Sequence, residues 1–434
     1  MSTTTTLLRS RRFLPLFATQ FLNAFNDNFY KMAMVILVTF EIYQDPEQEL
    51  AFNAMAGAIF ILPFFLFSAL AGQLADSSDK ARIIRLVKSA EIAIMLVGAA
   101  GIWLHNVPIM LLALFAMGVH STFLGPIKYA ILPQHLHSDE VLSGTGWVEA
   151  GTYIAILAGT IVGGSLPAHA SVVGILLVAV IGRFTASYVP PAPAETEAHG
   201  LKVDLNILRS SWQLVRSTMH VSRLFLAIVS ISFFWAIAAI LAAQFPPLVK
   251  NALVADNTVA TLFTAIFSVG VAIGSVIVNR LLKGQVSARY SPASVLAMAA
   301  FVMLLWWQVE RWVPVPDSPL DRDNLVNWLE FLSYGTGDLI LLALLGIAVF
   351  GGMFVVPLYA FLTTTVAKAE TARTVAANNI VNSVFMVVAA LALSGLSAIG
   401  FSITQTLALV AAMCLVSAWL ARRLCRAESE ADPL

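Results

Sequence analysis

Four polar side chains share one face of the first apolar segment of the chain. A helix turns about 100° per residue, so side chains three or four positions apart lie on the same face. In the stretch QFLNAFNDNFYK, that face carries Gln20, Asn23, Asp27 and Lys31. If the segment crosses a membrane, an isolated charge there costs at least about 2.5–3.5 kcal/mol. Either Asp27 and Lys31 neutralise each other and fix packing, or the stripe lines a cavity and binds a polar ligand.

Two further charged residues favour the ligand-binding interpretation. Lys128 lies in another apolar segment, with Ser121 on the same helical face, and Glu149 shares a face with Tyr153 in the next segment. A lysine ammonium binds phosphate as a point charge, and a carboxylate attracts an amine. Residues of both signs therefore predict a site for a charged, polar group.

Two other ionisable residues of the first half leave their roles open. Glu91 is either part of this site or an ion-pair partner for Lys88 or Lys128. His120 is either a packed, hydrogen-bonded histidine or a proton relay. Ionisable residues inside membrane segments usually belong to functional sites, and they also form structural ion pairs.

Amides take the place of charges in the second half of the chain. The polar residues inside its apolar segments are Gln244, Asn378, Asn379 and Asn382, and Asp338 lies near a segment start. The first half therefore fits a charged head, while the second half offers mainly apolar side chains. An amphiphile with a zwitterionic or anionic head and an apolar tail matches this asymmetry better than a sugar does.

The composition of the chain is that of a membrane protein. Of its 434 residues, 59% are hydrophobic and 12% are charged, against about a quarter charged in soluble domains. The mean hydropathy is +0.83. The zero net charge gives no indication of nucleic acid binding, and Cys414 and Cys425 form no disulfide or metal motif, so we expect neither cofactor nor metal. The N-terminal apolar run is too long for a cleaved signal peptide and is predicted to be the first span.

Twelve apolar stretches are long enough to span a bilayer, which needs roughly 20 residues per helix. The predicted fold class is an all-α membrane protein of twelve transmembrane helices in two six-helix bundles. We predict an N-terminal bundle (1–189), a cytoplasmic linker with an amphipathic helix (190–221) and a C-terminal bundle (222–434). The predicted spans are 13–42, 51–75, 82–104, 107–132, 141–166, 169–189, 222–249, 257–282, 291–309, 335–366, 372–398 and 401–423.

Lysine and arginine residues predict the orientation of these spans. With both termini in the cytoplasm, 20 of the 25 Lys and Arg residues fall on the cytoplasmic side, and the outer side has only Lys250, Arg311 and Arg322. In the linker, Leu208 and Trp212 belong to a helical apolar face, which predicts a helix lying in the membrane interface. The alternative is a helix that docks on a partner.

The loop after the second span carries a signature pattern. It reads GQLADSSDKARIIR, in which the pattern is made by Gly72, Asp76, Lys80 and Arg82. This resembles the loop between spans two and three of the major facilitator superfamily, although Ser77 replaces the basic residue that usually follows the acid. The resemblance implies that Asp76 and Arg82 latch one gate conformation and do not touch substrate. Related motifs at Pro126 and Pro357 predict two repeated halves with a site between them.

Four longer motifs carry a closer resemblance. AFNDNFYK, GPIKYAILP, GWVEAGTYIAILAGTIVGG and FGGMFVVPLYAFL resemble the lysophospholipid transporter family of Gram-negative inner membranes, and most of all the transporter portion of its transporter–acyltransferase fusions. The resemblance implies an inner-membrane transporter that flips lysophosphatidylethanolamine and lysophosphatidylglycerol inward, with a cytoplasmic acyltransferase as a separate partner. A monomer is the default expectation for this architecture. It assigns the family's embedded charged positions to Asp27 and Lys128 and places Glu149 in the fifth-span motif. A family arginine in span seven has no counterpart here.

Two other classes of protein are alternatives to a lysophospholipid transporter. A proton-coupled exporter of drugs or other amphiphiles has the same fold, and in it Asp27 or Glu149 would bind the coupling proton. An enzyme is disfavoured, because the sequence has no Ser-His-Asp spacing, HExxH motif or phosphate-binding loop. The candidate substrate-binding residues are Asp27, Lys31, Lys128, Glu149, Asn23, Tyr153, Gln244, Asn378 and Asn382, and the candidate gating residues are Gly72, Asp76, Lys80 and Arg82.

Overall fold

The computed structural model describes residues 7–43, 46–195, 203–312 and 325–431. These residues are almost entirely helical, apart from short connections and one isolated parallel bridge between Ala255 and Val326. Ten of the helices are long and apolar enough to cross a membrane. The chain is therefore a multi-pass helical membrane protein.

The first half of the chain forms six long helices and a linker helix. The first helix continues into a short wide turn at Val38–Ile42, and a four-residue helix, Leu132–His135, follows the fourth. The helices are α1 (Leu14–Leu37), α2 (Pro46–Ser77), α3 (Lys80–Trp103), α4 (Val107–Ala130), α5 (Val141–Ser165), α6 (Ala168–Ser187) and the linker helix α7 (Ile207–Met219).

The second half also forms six long helices. Its last helix continues past the predicted end at residue 423, because Leu424 is still buried on the packed face. Of the twelve long helices in the described residues, α1 and α3 are not among the ten apolar ones, and they carry embedded charges. The helices are α8 (Ser222–Pro247), α9 (Asn257–Leu282), α10 (Ser291–Glu310), α11 (Gly335–Thr364), α12 (Thr371–Ala398) and α13 (Ile403–Ala431).

Internal packing divides the chain into two compact units. The first unit comprises Met1–Val221 together with Tyr359–Ser383, and the second comprises Ser222–Leu358 together with Val384–Leu434. The end of α11 and the beginning of α12 thus pack in the first unit. The predicted three-part division of the chain into 1–189, 190–221 and 222–434 stays a prediction.

Close approach of α1 and α5 holds the first unit together. A β-carbon at Gly159 would meet the carbonyl of Phe25, and one at Gly163 would meet the carbonyl of Phe29. Small residues at such positions let two membrane helices pack backbone to backbone. Beside this contact lies an apolar core with Tyr30, Met34, Phe52, Met95 and Met117 at its centre.

The linker helix α7 is fixed at its beginning and leaves an apolar face open. The backbone N–H of Asp204 donates to Gln73 of α2 at 2.8 Å, and Asn206 caps the helix by accepting from the N–H of Arg209. The hydrogen bond from the Arg209 guanidinium holds the pKa of Asp204 below its ordinary value. Leu208 and Trp212 are both exposed, as expected of a helix that lies in a membrane interface.

Candidate functional site

The polar stripe of α1 meets α4 at Asp27. The Asp27 carboxylate accepts hydrogen bonds from the Ser121 hydroxyl at 2.5 Å and from the Asn23 amide at 3.2 Å. Gln20, which lies about two turns before Asp27 on α1, donates to the carbonyl of Val148 in α5. Asp27 is buried, so these contacts place a hydrogen-bonded carboxylate where α1, α4 and α5 pack.

Lys31 does not neutralise Asp27. In the described residues, no ion pair joins these two side chains, and the Lys31 ammonium lies 5.9 Å from the centroid of the Phe60 ring. An ammonium over an aromatic face gains a cation–π attraction. The structure therefore does not form the self-neutralising pair of Asp27 and Lys31, because the Lys31 side chain points towards α2.

A second charged cluster surrounds Glu91 in α3. Its carboxylate pairs with Lys88 on the same helix, lies 3.4 Å from the imidazole of His120 and accepts from the Asn26 amide at 2.8 Å. All of these side chains are buried. Of the two predicted roles for Glu91, ion pairing with Lys88 is the one that the structure forms. The cluster adjoins the first one, because Asn26 precedes Asp27 in the chain.

A third cluster is built around Glu149 of α5. The Tyr129 hydroxyl donates to the Glu149 carboxylate, and the Lys128 ammonium lies 4.7 Å from the centroid of the Tyr129 ring. Lys128 interacts electrostatically with both Glu149 and Asp27. It is thus the cation shared by the first and third clusters.

Segment 359–383 contributes to the third cluster within the first unit. The Tyr359 ring stacks on Tyr129 with 4.5 Å between centroids and 9° between planes. The Asn382 amide donates to the Tyr359 hydroxyl at 3.5 Å, and Asn378 is buried one turn earlier on α12. Gln244 belongs to the second unit, where it donates to Thr406 at 2.8 Å.

The signature loop contacts the beginning of α12. The Asp76 carboxylate accepts from the backbone N–H groups of Ala372 and Arg373, each at 2.9 Å, and from the Arg373 guanidinium at 3.1 Å. A carboxylate at a helix N-terminus is stabilised by the free N–H groups and the helix dipole. Lys80 is buried and interacts with Asp76, whereas Arg82 is exposed. The cation that forms an ion pair with Asp76 is Arg373, at 3.1 Å, which the sequence pattern does not single out.

Gly72 lets α2 approach α12 at this contact. An ideal β-carbon at residue 72 would lie 2.7 Å from the β-carbon of Ala376 and 3.0 Å from the α-carbon of Arg373. Residue 72 has no room for a side chain, because both of these neighbouring atoms belong to the packed helix α12. A glycine at this position is what allows the Asp76 contact to form.

We expect Gly72→Val to open this contact. Overpacking costs about 1–3 kcal/mol, which would act directly against the packing of α12 on α2. The measurement is maleimide labelling of Asn379→Cys, a partly buried residue of α12 opposite Gly125, in protein lacking Cys414 and Cys425. The matched control is Gly57→Val on the same helix, where an added β-carbon meets nothing within 4 Å. Equal labelling in the two variants would contradict the prediction.

The aromatic residues of the third cluster were missed in the sequence analysis. Tyr129 follows Lys128 in GPIKYAIL, and Tyr359 follows Pro357 in VPLYAFL. Both motifs were used there to relate the two halves, and each places a tyrosine shortly after its proline. That shared feature was the available signal, but only the folded chain stacks the two rings.

Comparison with known proteins identifies the family. The family model of the Major Facilitator Superfamily matches residues 16–313. The chain belongs to the major facilitator superfamily. It is accordingly a membrane transporter and not an enzyme, as the sequence predicted. Its fold is that of solved members of the superfamily, which share little sequence with it.

Two of these solved structures cover nearly the whole chain. The human organic anion transporter MFSD10 has a TM-score of 0.74 and 12% identity, covering 95% of this chain and 99% of its own. The E. coli fucose:proton symporter FucP has a TM-score of 0.70 and 12% identity, covering 95% and 98%. At this identity the likeness establishes the fold alone.

Curated relatives within the superfamily are similar in sequence. Lysophospholipid transporter LplT of Enterobacter sp. (strain 638) is 28% identical over 297 residues, covering 68% of this chain and 72% of the relative. LplT of Photorhabdus laumondii is 27% identical over 366 residues, covering 82% and 80%. The resemblance to the lysophospholipid transporter family is thereby confirmed.

Proposed function

We propose that this transporter moves lysophospholipids from the outer to the cytoplasmic leaflet of a bacterial inner membrane by alternating access. The substrates are lysophosphatidylethanolamine and lysophosphatidylglycerol, which a cytoplasmic acyltransferase then re-acylates. The observation that carries the proposal is the position of Lys128, a membrane-embedded cation that lies over the ring of Tyr129, whose hydroxyl donates to the buried carboxylate of Glu149. The similarity to proteins named LplT supports the choice of substrate.

The head group is read by charge in this proposal. Its phosphate draws the Lys128 ammonium away from Tyr129, because an ammonium–phosphate contact is stronger than a cation–π contact. An ethanolamine amine is attracted by Asp27 or Glu149. The acyl chain requires only apolar surface, so it adds affinity without adding head-group selectivity.

Opening and closing depend on the signature loop. The contact of Asp76 with Ala372 and Arg373 is the latch that breaks when α12 leaves α2 and forms again when it returns. We further propose twelve spans with both termini in the cytoplasm, as the Lys and Arg distribution predicts, and a monomeric transporter. The halves 1–189 and 222–434 are the proposed repeats.

Uptake into proteoliposomes tests the proposal. Purified protein is reconstituted, radiolabelled lysophosphatidylethanolamine or lysophosphatidylglycerol is added outside, and the fraction protected from back-extraction by albumin is followed over time. We expect protein-dependent uptake of both lipids, strongly reduced in Lys128→Ala, which removes the proposed phosphate ligand, and unchanged in Lys250→Ala, which removes an exposed lysine. Wild-type uptake no faster than in empty liposomes would contradict the proposed function.

Imposed ion gradients separate the proposal from its alternative. The same assay is run with a proton or a sodium gradient in either direction. Facilitated flipping predicts equal rates in all arms, because no ion moves with the lipid. A proton-coupled exporter of drugs or other amphiphiles predicts movement outward, driven by the proton gradient, and none of the lysophospholipid uptake described above.

A further inference from the structure

Three buried tyrosines lie at or beside one buried carboxylate in the first unit, and one of them, Tyr129, donates its hydroxyl to that carboxylate. We infer that Glu149, Tyr129, Tyr153 and Tyr359 form the subsite for the ammonium of the substrate's head group. Glu149 is 1% exposed, and none of the tyrosines exceeds 7%. The inference rests on the proposed function and deepens it, since it assigns the amine to one of two candidate carboxylates and adds two aromatic residues to the site.

The rings are arranged around Glu149 by three different helices. Tyr129 of α4 donates its hydroxyl to Glu149, and Tyr153 is a buried residue one turn beyond Glu149 on α5. Tyr359 of α11 stacks on Tyr129 in parallel, 4.5 Å away. An aromatic face beside a carboxylate attracts alkylammonium ions, because the ring quadrupole and the negative charge both favour a cation.

The folded chain already holds an ammonium in this subsite. The Lys128 Nζ atom lies 4.7 Å from the centroid of the Tyr129 ring and interacts with Glu149. It therefore occupies the position of a ligand amine. When a substrate phosphate draws Lys128 aside, the Glu149 charge and the tyrosine face lose their cation, and the amine of the same substrate replaces it.

Covalent connectivity in the substrate agrees with this arrangement. The amine and phosphate of an ethanolamine head group are two carbons apart, so their binding groups must be neighbours. Lys128 and Tyr129 are consecutive in the chain, and the ring that carries the Lys128 ammonium donates its hydroxyl to Glu149 and not to Asp27. Asp27 is the poorer candidate, because its nearest polar partners are the neutral Ser121 and Asn23 and no aromatic ring contacts it through a described interaction.

The subsite also includes a residue of the segment that the Asp76 latch holds. Tyr359 and Asn382 belong to segment 359–383, and α12 within that segment carries the Asp76 latch. An amine over the Tyr129 ring is therefore linked, through the stacked ring of Tyr359, to the segment that the latch holds. Lipids with an amine and lipids without one must differ in this contact.

Head-group competition tests the inference. Uptake of lysophosphatidylethanolamine and lysophosphatidylglycerol is measured in proteoliposomes, and the ratio of the two rates is compared between variants, because both lipids carry the phosphate and only one carries the amine. Tyr359→Leu removes the ring that stacks on Tyr129 and holds it in place, and it is expected to lower this ratio by about 2- to 30-fold, up to the loss of one cation–π contact at Tyr129. Tyr359→Phe keeps the ring face and is expected to keep the ratio within about twofold of wild type.

Further variants fix the interpretation of the ratio. Glu149→Gln removes the charge with almost no change in side-chain size, and it must also lower the ratio. Tyr188→Leu removes an exposed tyrosine and must leave the ratio unchanged. Equal loss of both lipids in Tyr359→Leu and Glu149→Gln would overturn the inference while leaving the proposed function standing. A wild-type protein that moves neither lipid would overturn the proposed function itself.

Discussion

Lys128→Ala is expected to reduce uptake of both lysophospholipids by roughly 10- to 150-fold, the range of one hydrogen bond to a charged group. The reason is that both substrates carry the phosphate, and Lys128 is the embedded cation shared by the Asp27 and Glu149 clusters. This change should lower the uptake of both lipids, whereas Tyr359→Leu should lower mainly that of lysophosphatidylethanolamine. The measurement is initial uptake in proteoliposomes at equal protein density.

Folding and charge are controlled separately for this prediction. Lys128→Arg keeps the positive charge and is expected to retain part of the uptake, whereas Lys250→Ala removes an exposed lysine and should behave as wild type. Size-exclusion chromatography and thermal unfolding establish that each variant is folded. Normal uptake by folded Lys128→Ala would refute the phosphate assignment.

Asp76→Ala is expected to release the beginning of α12 from α2. The variant loses an acceptor for two backbone N–H groups and for the Arg373 guanidinium, each a charge-assisted hydrogen bond of about 1.5–3 kcal/mol. Labelling of Asn379→Cys by a membrane-impermeant maleimide added on the side of the Asp76 loop should therefore rise by about tenfold or more, and transport should slow because the closed state is no longer held.

Graded variants make the latch prediction specific. Asp76→Asn keeps one acceptor oxygen without the charge and should give intermediate labelling. Arg373→Ala removes only the guanidinium and should also be intermediate, because the backbone N–H groups remain. Asp139→Ala, at an exposed acid of the α4–α5 connection, is the matched control. Labelling of Asp76→Ala that equals this control would show that the contact does not hold α12.

The charged residues inside apolar segments could be located from the sequence, but their interaction partners could not. The polar stripe through Asn23 and Asp27 follows from helical periodicity, which is local and depends only on the spacing of residues. Whether Lys31 pairs with Asp27 depends on rotamers and on what the neighbouring helices present. The structure turns Lys31 to Phe60 and gives Asp27 a hydroxyl from Ser121.

Long-range partners were the least predictable part of the site. Arg373 lies nearly three hundred residues from Asp76, a separation to which no local pattern applies. Tyr129 and Tyr359 each lie in a motif that was recognised, yet stacking requires α4 and α11 to meet at one depth. Chain periodicity specifies which face of a helix is polar and leaves open which other face it meets.

By itself, the sequence determined that this is a helical membrane transporter, because hydropathy, Lys and Arg distribution and motif spacing are properties of the chain that survive without any tertiary contact. It also determined which residues carry embedded charge. Only the tertiary structure decided how those charges are grouped: Glu91 with Lys88 and His120, and Glu149 with Tyr129 and the adjacent Lys128. The physical reason is that a buried charge must find partners within a few ångströms, and helix packing alone decides which side chains come that close.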